Sequence, residues 1–141
     1  MTLLYLDTSA LIRLYTNEPH HEAVKGETQR ASGVVCHTIT MVEVASALTG
    51  RRARRLMSGR AYNMALAAFD ADWPTFRHVA LDDELLQAAS ILARTHALWA
   101  YDAVHLAAAQ AIAPLGVQFM TFDLRLRTVA EQVLPGAVWQ E

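Results

Sequence analysis

The sequence predicts an α/β fold built on a mostly parallel sheet, and three observations carry that expectation. Short apolar runs that read as strands alternate with longer segments of helical periodicity, as in Leu3–Leu6 followed by Ser9–Tyr15. The segments between successive strands are long enough to be crossovers, which join parallel rather than hairpin strands. The length of 141 residues and the 53% apolar content match one compact unit, residues 1–141, able to bury a core.

Each element has a local cause. Leu3–Leu6 runs straight into Asp7, Thr8 and Ser9, residues whose side chains cap helices, so strand, turn and helix follow in that order. Asn17 and Pro19 end this first helix, and a second runs from about His20 to Arg30. Gly33 opens the β-branched run Val34–Cys36, after which Thr38 or Thr40 is expected to cap a helix carrying Val42, Glu43, Val44, Ala45 and Leu48. Gly50 and the arginines after it read as a bend, and Ser58–Phe69 as the next helix, closed by Pro74. Phe76–Leu81 is expected as a strand, with Asp82 and Asp83 starting a helix. A further helix from about Tyr101 carries Val104, Leu106, Ala107, Ala108 and Ala111 and stops at Pro114 and Gly116. Val117–Thr121 forms a strand leading to Asp123, then a helix and a short strand around Ala137–Trp139.

Composition narrows the function. The apolar N-terminal run Met1–Leu6 lacks a basic flank and is interrupted by Asp7 and Arg13, so it does not read as a signal peptide, and no stretch reads as membrane-spanning. A cytoplasmic location is the resulting expectation. Cys36 is the only cysteine, which leaves no intramolecular disulfide and no thiolate metal site; it reads as a small buried hydrophobe. The net charge of −2 excludes gripping a polyanion by overall charge, so any such site must be local. Positive charge comes almost wholly from arginine, clustered at Arg51, Arg52, Arg54, Arg55 and Arg60, and the guanidinium fork suits phosphate contact. A solvated helix face or a protein-binding face would use the same residues.

Four acids stand out by position. Asp7 and Asp123 each follow an apolar strand, where open parallel sheets bind ligands, while Glu43 and Asp102 lie in first helical turns. Singly, each has a commoner role as a cap or a solvated first-turn acid. Brought together they would repel unless protons or cations compensate them, and an oxygen-only donor set suits Mg²⁺ or Mn²⁺. Two divalent ions would move the formal charge from −2 by +4 to +2, opening the site to phosphate.

Tyr5-Leu6-Asp7-Thr8-Ser9-Ala10-Leu11, Thr40-Met41-Val42-Glu43-Val44-Ala45-Ser46-Ala47-Leu48, Tyr101-Asp102-Ala103-Val104-His105-Leu106-Ala107-Ala108-Ala109 and Thr121-Phe122-Asp123 resemble, in order, the four motifs of PIN-domain ribonucleases, above all VapC toxins of toxin–antitoxin pairs. The resemblance implies a PIN-like fold with a short parallel sheet wrapped by helices. It also implies a Mg²⁺-dependent endoribonuclease, a homodimer, an RNA substrate and a small VapB-like antitoxin. Carried over by position, Asp7, Glu43, Asp102 and Asp123 bind metal, with Thr8, Ser9 and Thr121 as supporting hydroxyls. Family members often carry a basic residue shortly before the third acid, where this chain has Trp99 and Ala100.

Two other readings compete. A non-catalytic PIN-like RNA-binding domain would be expected to lack motif acids. A haloacid-dehalogenase-like phosphatase needs a second Asp two positions after the first, where Ser9 stands. His105 reads as a hydrogen-bonded helix histidine outside the catalytic set, and His20 and His21 as surface residues. Trp73, Phe76, Trp99 and Trp139 read as core or dimer-packing residues rather than base-stacking platforms.

Overall fold

Strand β1 (Leu3–Leu6) sits inside a sheet of order β3-β2-β1-β4, formed with β2 (Gly33–His37), β3 (Arg77–Val79) and β4 (Val117–Met120). This is a computed structural model, and it describes residues 2–141; Met1, the first residue of the apolar N-terminal run, lies outside them. All three strand pairings are parallel, and the long segments between successive strands are crossovers. Alternation along each strand sends side chains to opposite faces. Leu3, Tyr5, Val35 and Phe119 pack on one face against Leu92, Leu106 and Leu126. Leu4, Leu6, Val34, Cys36 and Met120 pack on the other against Leu11, Val24, Val44, Leu48 and Phe69. Every residue of β1 is buried, as a strand covered on both faces must be.

The helices are α1 (Thr8–Leu11), continued by a 3₁₀ turn over Ile12–Leu14, α2 (His21–Arg30), α3 (Thr40–Ala53), α4 (Gly59–Asp72), α5 (Asp83–His96), α6 (Ala100–Ile112) and α7 (Leu124–Val133). Among the described residues, no helix is long and apolar enough to cross a membrane.

Four local expectations give way to tertiary structure. Neither Thr38 nor Thr40 caps α3; Ile39 holds that position, and its N–H donates to His37 Nδ1 at 3.0 Å. Gly50 is not a bend but lies within α3, which continues to Ala53 because Val44 and Leu48 anchor it in the core and Arg51 fastens to Glu18. The third strand is only Arg77–Val79, and the last is reduced to a single bridge from Val138 to Phe119, held by Phe119 N–H to Ala137 O at 2.7 Å and Trp139 N–H to Phe119 O at 2.8 Å.

The aromatic residues divide. Phe76 and Trp139 are core residues, and Trp73 stacks on His78 with ring centroids 4.0 Å apart. Trp99 is 72% exposed, because it is the N-cap of α6 and precedes that helix's buried face.

Candidate metal centre

The parallel register Leu6↔Met120 sets the carboxyl ends of β1 and β4 side by side, and Asp7 N–H donates to Met120 O at 3.3 Å. Asp7 and Asp123 therefore leave the same rim of the sheet. Both also cap helices: Asp7 Oδ1 accepts from Ala10 N–H at 2.9 Å, and Asp123 Oδ1 from Leu126 N–H at 3.1 Å. The commoner role assigned to each is real and does not exhaust either carboxylate.

Asp7 is only 3% exposed. Ser9 Oγ donates to its Oδ1 at 2.7 Å and Thr121 Oγ1 to its Oδ2 at 2.5 Å, while Ser9 Oγ accepts from Phe122 N–H at 2.9 Å. Burial raises the Asp7 pKa, against the opposing pull of His105 and these donors. Thr121 Oγ1 also accepts from Asp123 N–H at 3.1 Å, tying the two rim acids to one hydroxyl.

Glu43 comes from the first turns of α3 and is held differently. Its Oε1 accepts from Thr8 Oγ1 at 2.8 Å and lies 2.7 Å from His105 Nε2. Burial alone would raise its pKa, but the His105 hydrogen bond and charge, with Thr8, outweigh burial and hold the carboxyl below its usual range. The supporting hydroxyls thus take two jobs, Thr8 on Glu43 and Ser9 and Thr121 on Asp7.

The carboxylate of Asp102, in the first turn of α6, makes no side-chain hydrogen bond among the described residues. Burial first, then the charges of Asp123, Asp7 and Glu43, push its pKa up to about 6, partly offset by His105. Asp123, Asp7 and Glu43 all stand near enough to Asp102 for their charges to oppose its ionisation.

Among the described residues, no three His, Cys, Asp or Glu side chains stand as a ready ligand group around one point. The donor set nonetheless fits a hydrated hard cation. Mg²⁺ retains several waters and is commonly held by one or two carboxylates, so a closed cage is not required. Among the described residues, the Asp102 carboxylate has no donor, and burial together with the charges of Asp123, Asp7 and Glu43 disfavours its ionised form, a cost that a bound cation would offset.

The arginines stand elsewhere. Arg51 begins eight residues beyond Glu43 on α3, about 12 Å along the axis at 1.5 Å per residue. Its Nε donates to Glu18 Oε1 at 2.6 Å and its Nη1 to Ala47 O at 3.1 Å, while Arg52, Arg54 and Arg55 are exposed.

The profile of the PIN domain family matches residues 4–132, from within β1 to near the end of α7. The chain belongs to the PIN domain family. That membership sets aside the dehalogenase-like reading of the Asp7 strand end. This PIN domain is similar to ribonuclease VapC45 of Mycobacterium tuberculosis strain CDC 1551 / Oshkosh, with 32% identity over 134 residues, covering 92% of this chain and 90% of the relative. Ribonuclease VapC49 of M. tuberculosis strain H37Rv gives the same identity and coverage, so the PIN domain is VapC-like over nearly its whole length. Among solved structures, FitAcB from Neisseria gonorrhoeae superposes with a TM-score of 0.71 at 20% identity, covering 97% of this chain and 96% of that one. A toxin–antitoxin complex from Klebsiella pneumoniae gives 0.66 at 19% identity, covering 99% and 97%. At those identities the structural likeness speaks for the fold.

The residue that sequence reasoning set aside is His105. It is a hydrogen-bonded helix histidine, as expected, but its partner is one of the four acids. One helical turn separates it from Asp102, which was the available signal. Its second partner, Tyr5, was visible only as part of the first motif.

Proposed function

We propose that this chain is a divalent-metal-dependent endoribonuclease, the toxin of a VapBC-type pair, with Asp7, Glu43, Asp102 and Asp123 as its metal-binding acids. The observation that carries this reading is Asp102: a partly buried carboxyl without a hydrogen-bond donor, pushed to about 6 by burial and by the charges of Asp123, Asp7 and Glu43. Such mutual repulsion is tolerated where a cation compensates it. The similarity to VapC ribonucleases gives that cation a reaction.

Each side chain has a share in the work. Ser9 and Thr121 fix Asp7, and Thr121 also braces the Asp123 backbone. Thr8 and His105 fix Glu43 through one oxygen. Among the described residues, the Asp102 carboxylate and the second oxygens of Glu43 and Asp123 have no side-chain partner; with Asp7 Oδ2, which accepts only from Thr121, they are the groups that would hold Mg²⁺ or Mn²⁺. When bound, the metal supplies positive charge beside the scissile phosphate and lowers the pKa of the attacking water. Attack by water on phosphorus breaks the P–O3′ bond and leaves 5′-phosphate and 3′-hydroxyl ends. Exposed Arg52, near the end of α3, and Arg54 and Arg55, just beyond it, are assigned to contact with the RNA backbone away from the acids.

A small VapB-like antitoxin and a homodimeric assembly complete the reading, both as the resemblance to VapC toxins implies; the Klebsiella toxin–antitoxin complex shares the fold. The test is Mg²⁺-dependent cleavage of total RNA, with 5′ ends mapped, in parent, Asp7→Asn and Asp102→Asn proteins of matched folding. Discrete cleavage that a chelator and both substitutions abolish is the expected result. Equal cleavage by either variant overturns the assignment of these acids.

A further inference from the structure

Tyr5 and His105 lie outside the four acids, yet a continuous line of hydrogen bonds joins them to one. Tyr5 is fully buried in β1, stacked on Phe119 with centroids 5.6 Å apart. Its hydroxyl stands 2.8 Å from His105 Nδ1, and the two rings meet edge to face at 5.9 Å. On the other side of the imidazole, Nε2 lies 2.7 Å from Glu43 Oε1 and 3.3 Å from Thr8 Oγ1. His105 is itself 2% exposed.

We infer that His105 and Tyr5 are positioning residues for Glu43, with His105 Nε2–H donating to Glu43 Oε1 and the Tyr5 hydroxyl holding Nδ1. An ionised carboxylate only accepts, so the nitrogen facing it must carry the proton. The Tyr5 hydroxyl can donate or accept, and in the neutral ring it then donates to the unprotonated Nδ1. Glu43 Oε1 is then occupied by two donors, Thr8 and His105, and Oε2 is the oxygen left for the metal. The arrangement pre-orients a ligand that would otherwise swing on the flexible side chain of a helical glutamate. Tyr5 ties that orientation to β1, an interior strand of the sheet whose every residue is buried. This rests on the metal-binding role proposed for Glu43, and it adds two buried residues to the machinery.

The full chain, stripped of metal, is titrated with Mn²⁺ by electron paramagnetic resonance and assayed for RNA cleavage over a range of Mg²⁺. His105→Leu removes both hydrogen bonds, His105→Gln keeps an amide donor near the Nε2 position, and Tyr5→Phe removes only the hydroxyl. Loss of a partner that orients a ligand costs about 10-fold or more in metal affinity. His105→Leu is therefore expected to weaken Mn²⁺ binding and raise the Mg²⁺ requirement by about that factor. His105→Gln should restore most of both, and Tyr5→Phe should show a smaller loss. In the parent, the ¹⁵N spectrum should show a protonated Nε2. A merely structural histidine would lower the melting temperature while leaving the Mn²⁺ affinity of the folded protein at the parental value, and that outcome overturns the inference. An unprotonated Nε2 overturns it as well. If His105→Leu does not fold, Tyr5→Phe decides, and parental Mn²⁺ affinity in that variant counts against the role. Asp102→Asn separates the two levels: if it binds Mn²⁺ and cleaves like the parent, the metal reading falls and takes this one with it. If Asp102→Asn is impaired while the Tyr5 and His105 variants match the parent, only the positioning role falls.

Discussion

His105 and Glu43, separated by 62 residues in sequence, meet with Nε2 and Oε1 2.7 Å apart. That contact divides the acids of the site into two electrical kinds. Glu43, with a basic partner and a hydroxyl, stays ionised despite burial. Asp102, with neither, is forced toward its protonated form by burial and by the other three carboxylates. One site thus contains a carboxylate held below its usual range by its partners and another pushed up to about 6 by burial and by its acidic neighbours.

The pH dependence of stability follows from Asp102. Its pKa rises from 3.8 to about 6 on folding, so its contribution to stability is complete below about 3.8 and is lost as pH rises through about 6. His37 acts oppositely over the same interval: burial, then the charge of His105, lowers it from 6.5 to about 4 against the pull of Glu43, so its contribution is present above 6.5 and lost as pH falls through about 4. The two partly cancel in the parent. The diagnostic quantity is the stability of Asp102→Asn minus that of the parent in chelator, predicted to increase between about pH 4 and 6 and to level off above. Urea unfolding at a series of pH values measures it, and a flat difference would remove the electrostatic basis of the site.

The parallel sheet and the strand-end acids were legible because burial on both faces and helix capping write themselves into neighbouring residues: Leu3–Leu6 then Asp7, Val117–Met120 then Asp123. What was not legible depended on partners far away in sequence. Gly50 looks like a break and is helical because Val44, Leu48 and Arg51 are anchored by residues outside α3. Thr38 and Thr40 look like caps, but the His37 ring reaches the Ile39 N–H first. His105 carries no mark of Glu43 or Tyr5, since the contacts that define its role exist only once α6 lies over β1 and beside α3.

Thr121 is predicted to matter for stability as well as for placing Asp7. Its hydroxyl donates to Asp7 Oδ2 at 2.5 Å and accepts from Asp123 N–H at 3.1 Å. Thr121→Val keeps the shape and leaves a buried carboxylate short of a donor, at a cost of about 1.5–3 kcal/mol. The midpoint of urea unfolding should fall with little change in slope, and Thr121→Ser should recover most of it. An unchanged midpoint for Thr121→Val would mean that Asp7 finds another donor.

Cys36 is fully buried in β2, and burial raises its thiol pKa to about 12, opposed by Thr40. Because thiolate is the reactive form, the native protein should resist a thiol reagent at pH 8. Reaction of its one thiol is expected only in denaturant. Rapid labelling under native conditions would show that β2 opens far more readily than a central-sheet neighbour should.

Metal binding should be visible in stability without any RNA. A ligand that binds only the folded state at 100 times its dissociation constant contributes about 2.7 kcal/mol. For a chain of this size that corresponds to a rise of roughly 5–10 °C in melting temperature. Mg²⁺ or Mn²⁺ should produce such a rise, a chelator should reverse it, and Asp102→Asn should shrink it. The last comparison carries the weight, because a salt effect on surface charge would persist in the variant, whereas a cation held between Asp102 and its neighbours would not.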